Sequence, residues 1–123
     1  MDTKRAKAAA RDAYGRTLVE LGRKNNDIVV LSADLSSSTR VKWFAEEFPD
    51  RFFECGVAEE NLITIAAGLA TCGKIPFAST FAVFGTERAY NQIRQVVAYP
   101  NLRVRLVCTH SGVTVGPDCA SHQ

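Results

Sequence analysis

The sequence predicts an α/β domain, a parallel sheet with helices on both faces. Three observations predict it. Short β-branched or aromatic runs alternate along the chain with longer stretches of helical periodicity. The first run, Ile28-Val29-Val30-Leu31, is apolar without interruption, as a strand covered on both faces requires. The polar clusters that could carry chemistry fall just after these runs, where ligands gather in sheets of this kind. The length of 123 residues suits one such domain, taken here as residues 1–123, and leaves no room for a second.

Each element has its own signal. Over residues 6–23, Ala9, Ala10, Ala13, Tyr14, Leu18 and Leu21 recur at helical spacing, until Asn25, Asn26 and Asp27 break the pattern. The strand from Ile28 follows and ends at Asp34, and Ser36, Ser37 and Ser38 are expected to form the loop beyond it. A short helix over 41–48 stops near Pro49, and 51–55 reads as a second strand. Residues 58–71 carry the clearest helix, with Leu62, Ile65, Ala66 and Leu69 on one stripe and Gly73 as its C-terminal cap. A third strand over 75–79, a helix over 86–99 stopped by Pro100, and a fourth strand over 104–108 complete the alternation. Such an order implies right-handed crossovers and places the strand ends at 34–38, 56–59, 80–84 and 109–123. The chain stops in a loop rich in Gly, Ser and Thr with no helix to cover the last strand, so a domain incomplete at its C-terminus is expected.

Composition narrows the function classes. An apolar content of 46% with 23% charged residues belongs to a globular chain with a real core. A formal charge of +2 gives no electrostatic case for nucleic acid or an anionic membrane, and the basic cluster Lys4, Arg5 and Lys7 reads as a solvated helix start or a frayed tail. No apolar run approaches the roughly 20 residues of a membrane helix. The four cysteines stand singly, without paired spacing, and Cys55, Cys72 and Cys108 lie in apolar segments, where a free thiol acts as a small hydrophobe. A reducing, cytoplasmic setting is expected.

Two well-known phosphate-cradling loops, G-x-G-x-x-G after a strand and G-x-x-x-x-G-K-[ST], do not occur. The hydroxyls of residues 36–39 could meet a phosphate or could cap a helix. Glu59 and Glu60 open a helix, where the dipole favours a carboxylate by about 0.3–1 kcal/mol, catalysis or none. His110, Asp118 and His122 crowd one loop; the spacing of twelve between the histidines is no known metal-ligand signature, and a substrate-binding loop is expected instead.

Gly56-Val57-Ala58-Glu59-Glu60-Asn61, followed by Ala66-Ala67-Gly68-Leu69-Ala70, is similar to the segment around the catalytic glutamate of the transketolase family. Ser32-Ala33-Asp34-Leu35 resembles its A-D-L motif, and Thr80-Phe81-Ala82-Val83-Phe84 its aromatic pyrimidine-binding segment. Thr109-His110, Asp118 and Ser121-His122-Gln123 resemble its substrate loop. The resemblance covers nearly the whole chain, in family order, and implies the pyrimidine-binding domain of a thiamine-diphosphate enzyme. It implies that Glu59 meets the ring nitrogen N1′ of the cofactor and activates it, that Phe84 stacks on the pyrimidine with Phe81 beside it, and that Asp34 lies near the cofactor. Asp118 and His122 would hold sugar hydroxyls, and His110, Ser38 and Arg11 the phosphate of a sugar phosphate. Two positions depart from the family pattern. Cys119 stands where glycine is usual, so a left-handed backbone there would be strained, and Glu87 replaces an aromatic residue of some members.

The family anchors the diphosphate through magnesium on a separate domain with a G-D-G motif, which this sequence lacks. The resemblance therefore implies a split transketolase: a component inactive alone, a partner subunit carrying the diphosphate domain, and a homo-oligomer or heterotetramer. Transfer of a two-carbon ketol unit between sugar phosphates is the implied reaction. A deoxyxylulose-phosphate synthase, a 2-oxo acid dehydrogenase β-chain and a non-catalytic module keeping the fold are the rival readings.

Overall fold

The computed structural model describes residues 9–113 and 115–123. The basic cluster of Lys4, Arg5 and Lys7, and the first residues of the expected opening helix, lie outside the described residues.

Helix α1, Ala10–Lys24, ends where Asn25 leaves helical geometry and its side-chain oxygen accepts the Asp27 amide at 2.8 Å. Arg51 closes the same helix end by donating to the Gly22 carbonyl at 3.0 Å and the Asn25 carbonyl at 3.1 Å while lying over the Phe48 ring. Strand β1, Ile28–Ser32, is buried along its whole length, as its uninterrupted apolar run requires. Ile28 and Val30 face Leu18, Val41 and Phe44, whereas Leu31 meets Leu62, Ile63 and Ala66 on the other side. The period of two along one strand thus feeds two cores.

The expected serine loop is instead a single helical turn, α2, Ser36–Thr39, with Thr39 buried and its hydroxyl donating back to the Leu35 carbonyl. Helix α3, Lys42–Glu47, packs against α1 so closely that a Cβ on Gly22 would sit 2.5 Å from Phe44 Cε2. A 3₁₀ turn, Pro49–Arg51, leads into the short strand β2, Phe52–Glu54.

Helix α4, Glu59–Thr71, ends in a Schellman arrangement: Lys74 N–H donates to the Leu69 carbonyl and Gly73 N–H to that of Ala70, with Gly73 at φ +83°. Strand β3, Ile75–Phe81, runs two residues further than its sequence signal and carries Phe81 at its end. The helix expected over 86–99 starts earlier and winds wider. It comprises the π-helical segment Phe84–Arg88, the short α5, Tyr90–Gln92, and a second π-helical segment, Ile93–Ala98. Strand β4, Arg105–Thr109, follows, and a 3₁₀ turn, Cys119–His122, lies near the chain end.

All pairings are parallel and the strand order is β2-β1-β3-β4. The chain leaves β1 for one edge, and α4 carries it back across to β3, so the winding reverses between β1 and β3. The strand ends flanking that reversal form the crevice in which open α/β sheets bind ligands. Of the cysteines, Cys55 and Cys108 are partly buried, but Cys72 is exposed just past the end of α4, where helix periodicity no longer governs burial.

Candidate ligand site at the strand ends

Glu59 is the first residue of α4, and only 1% of its surface is exposed. Its Oε2 accepts from Arg88 Nη1 at 2.8 Å, and Oε1 has no hydrogen-bond partner among the described residues. Arg88 is 49% exposed and its guanidinium lies 4.8 Å from the centroid of the Phe84 ring. Glu60, by contrast, is exposed. The helix dipole treats the two acids alike, but burial does not. Glu59, Arg88 and Gln92 line a cleft of about 410 Å³.

Phe81 and Phe84 stack at 6.0 Å with an interplanar angle of 13°. His122 stands edge-on to Phe84 at 5.1 Å, and His110 lies 4.1 Å from Phe81. The end of β3, the segment after it, the end of β4 and the last turn therefore meet in one aromatic cluster. Two buried polar atoms beside these elements lack partners among the described residues, Thr80 Oγ1 and Gln92 Oε1. A buried hydroxyl or amide without a partner is uncommon unless water or a ligand completes it.

Arg11, from α1, reaches this cluster. Its Nη1 donates to His110 Nε2 at 3.0 Å and lies 3.4 Å from the Ser38 carbonyl. An arginine has no acceptor, so Nε2 must accept, and the ring proton resides on Nδ1, 2.7 Å from Thr109 Oγ1. Burial pulls the His110 pKa below its ordinary value and the Arg11 charge adds to that, with Asp118 opposing. Both effects favour the neutral ring, and the Arg11 contact fixes its tautomer. Arg11, Tyr14, His110 and Asp118 line a second cavity, of about 790 Å³.

The residues expected from the sequence reach the site unequally. Glu59, Phe81, Phe84, Arg11, His110 and His122 are brought together. Ser38 enters through its backbone carbonyl rather than its hydroxyl. Asp34 is exposed, with φ 59°, and its N–H donates to Glu54 Oε1 at 2.6 Å. Asp118 is exposed on the cavity rim. Cys119 adopts φ 53°, the left-handed region that favours glycine.

Three contributors escaped sequence reasoning. Arg88 lies four residues after Phe84, a spacing that puts both on one helical face and could have revealed it. Glu54 ties the β1 and β2 ends together, accepting from both Asp34 and Gly56 N–H. Tyr14, whose hydroxyl meets Ser79 Oγ at 2.8 Å, is raised to a pKa of about 12 by burial. No sequence signal separates these last two from ordinary surface and core residues.

The fold and this site define a ligand-binding α/β domain with a buried acid and an aromatic cradle at the switch point of its sheet. Residues 6–123 match the family described as transketolase, pyrimidine binding domain, and the chain belongs to that family. It is 60% identical over 113 residues to a putative transketolase C-terminal section of Methanocaldococcus jannaschii, covering 92% of this chain and 36% of that protein. A solved split-gene transketolase, described as an inactive beta4 tetramer, superposes with TM-score 0.74 at 59% identity, covering 81% of this chain and 33% of that one. Campylobacter jejuni transketolase superposes with TM-score 0.88 at 27% identity over the whole of this chain and 20% of its own. The chain thus spans about a third or less of the proteins it resembles.

Proposed function

We propose that this chain supplies the pyrimidine-binding half-site of a thiamine-diphosphate-dependent transketolase that moves a two-carbon ketol unit between sugar phosphates. The observation that carries the reading is Glu59, a buried carboxylate with one oxygen engaged by Arg88 and the other without a hydrogen-bond partner among the described residues. The residues present fit an aminopyrimidine: an open carboxylate oxygen for a ring nitrogen, paired aromatic faces for a flat heterocycle, and unpartnered buried acceptors nearby. When bound, thiamine diphosphate supplies the carbon nucleophile for ketol transfer.

This chain's residues then have separable tasks. Glu59 holds or releases a proton at N1′ of the ring, and Phe84 and Phe81 orient it. Asp34 sits beside the same crevice. Arg11 offers a sugar phosphate a planar fork of donors that suits the phosphate oxygens, and His110, whose Nε2 accepts from Arg11, orients that fork. Ser38 accepts from Arg11 through its backbone carbonyl, and Asp118 and His122 address sugar hydroxyls. The diphosphate and its magnesium are assigned to a partner subunit, a reading supported by the likeness to a putative transketolase C-terminal section and to a split-gene transketolase. An assembly of more than one chain is supported by the tetrameric split-gene neighbour.

The test uses the chain assembled with a subunit bearing the diphosphate domain. Glu59→Gln should slow C2 proton exchange of bound cofactor, followed by NMR in deuterium oxide, by about 10²–10⁴-fold, the usual range for acid–base contributions. Glu60→Gln should leave it near the wild-type rate. Equal small effects would reduce Glu59 to a helix-start acid.

A further inference from the structure

We propose that Arg88 is a positioning residue, one guanidinium that holds the acid and the aromatic platform of the half-site in register for a single flat ring. The inference rests on the proposed function and assigns a role to a residue outside the site as read from the sequence. Arg88 makes two contacts, each to a residue placed at the pyrimidine. Its Nη1 donates to Glu59 Oε2 at 2.8 Å, and its Cζ lies over the Phe84 ring, 4.8 Å from the centroid. Nothing else among the described residues hydrogen-bonds the Glu59 carboxylate.

The chemistry explains why one residue serves both contacts. A carboxylate with 1% exposure needs a counter-charge, and a guanidinium both donates in its plane and stacks through its face. With Oε2 engaged by Arg88, Oε1 keeps no hydrogen-bond partner among the described residues. By covering Phe84, Arg88 fixes the distance between the acid on α4 and the ring on the segment after β3, two elements that no other side-chain hydrogen bond links at the cleft. Lysine would supply the charge but not the flat face, so the arrangement needs arginine. Gln92, one turn beyond Arg88, lines the same cleft and keeps an unpartnered buried oxygen there, which a ring amino group would complete.

The experiment compares Arg88→Ala, Arg88→Lys and Glu59→Gln in the chain assembled with the diphosphate-domain subunit. Readouts are C2 proton exchange, the dissociation constant for thiamine diphosphate, and rescue by added guanidinium ion. In the unliganded chain, NMR follows the Phe84 ring protons and the Glu59 carboxyl carbon. Arg88→Ala should slow exchange by about 10²-fold, the scale of an ångström of misplacement, while changing cofactor affinity less. Guanidinium should restore part of the loss. Arg88→Lys should preserve the Glu59 carboxyl signal, lose that of the stacked Phe84 ring, and exchange at an intermediate rate. Exchange at the wild-type rate in Arg88→Ala, or tighter cofactor binding with unchanged exchange, overturns the proposal, the second because Arg88 would then be a plug that the cofactor displaces. If Arg88→Ala does not fold, wild-type exchange in Arg88→Lys overturns it equally. Wild-type exchange in Glu59→Gln instead overturns the half-site reading itself.

Discussion

Breaking the Glu59–Arg88 pair from either side should cost unequal stability. The two charges are 2.8 Å apart, but Glu59 is 1% exposed and the Arg88 side chain 49%. Glu59→Gln removes the charge that is costly to bury and leaves an arginine that water can reach, so the change should stay within about 1 kcal/mol. Arg88→Met strands a buried carboxylate. Removing one partner of a fully buried pair costs about 3–5 kcal/mol, and because half of this pair already faces solvent, about 2–3 kcal/mol is expected. With an unfolding entropy of about 2.1 cal/mol/K per residue, a chain of this size shifts its Tm by about 4 °C per kcal/mol. Arg88→Met should therefore melt about 8–12 °C below wild type, and Glu59→Gln within about 4 °C of it. Circular dichroism melts at neutral pH, checked by urea midpoints, measure both. Equal shifts, or a larger one for Glu59→Gln, would refute the reasoning, since the carboxylate would then not be the dependent partner.

Four further outcomes are expected. Gly22→Ala, whose Cβ would lie 2.5 Å from Phe44 Cε2, should destabilise by about 1–2 kcal/mol, overpacking exceeding the gain in helix propensity. Gly68→Ala, with nothing within 4 Å, should stabilise the isolated chain by up to about 1 kcal/mol, both read from urea unfolding. Cys119→Gly should raise the Tm and Cys119→Val lower it, because a side chain at φ 53° costs about 1–2 kcal/mol, more than the chain entropy glycine adds. Acid should destabilise the fold through His110: its folded pKa lies below 6.5, so the unfolded chain binds the proton more readily. The neutral ring's contribution is full above that pH and is lost as pH falls below it, and His110→Gln should flatten urea midpoints across that window.

The sequence by itself determined the order of strands and helices, because burial on a helix or strand repeats over a few residues and leaves its period in the chain. The run from Ile28 to Leu31 announced a strand covered on both faces, and Gly73 its helix cap. The placement of polar clusters at strand ends was legible for the same reason, and the glutamate segment, with the family motifs in order, pointed to Glu59 where the helix dipole alone could not choose between it and Glu60. Two local signals misled: Ser36–Thr39 is a helical turn, because the Thr39 hydroxyl and amide both bond back to Leu35, and Cys72 lies past the last buried turn of its helix.

Only the tertiary structure decided which groups meet. Arg88 reaches Glu59 across 29 residues and Arg11 reaches His110 across 99, separations with no periodic trace. The order β2-β1-β3-β4 brings these segments to one edge, and only there does it become fixed which carboxylate oxygen is open and which imidazole nitrogen carries the proton. The physical reason is range: hydrophobic patterning is written locally, one turn at a time, whereas a hydrogen bond between distant side chains exists only once the sheet has set the distance between them.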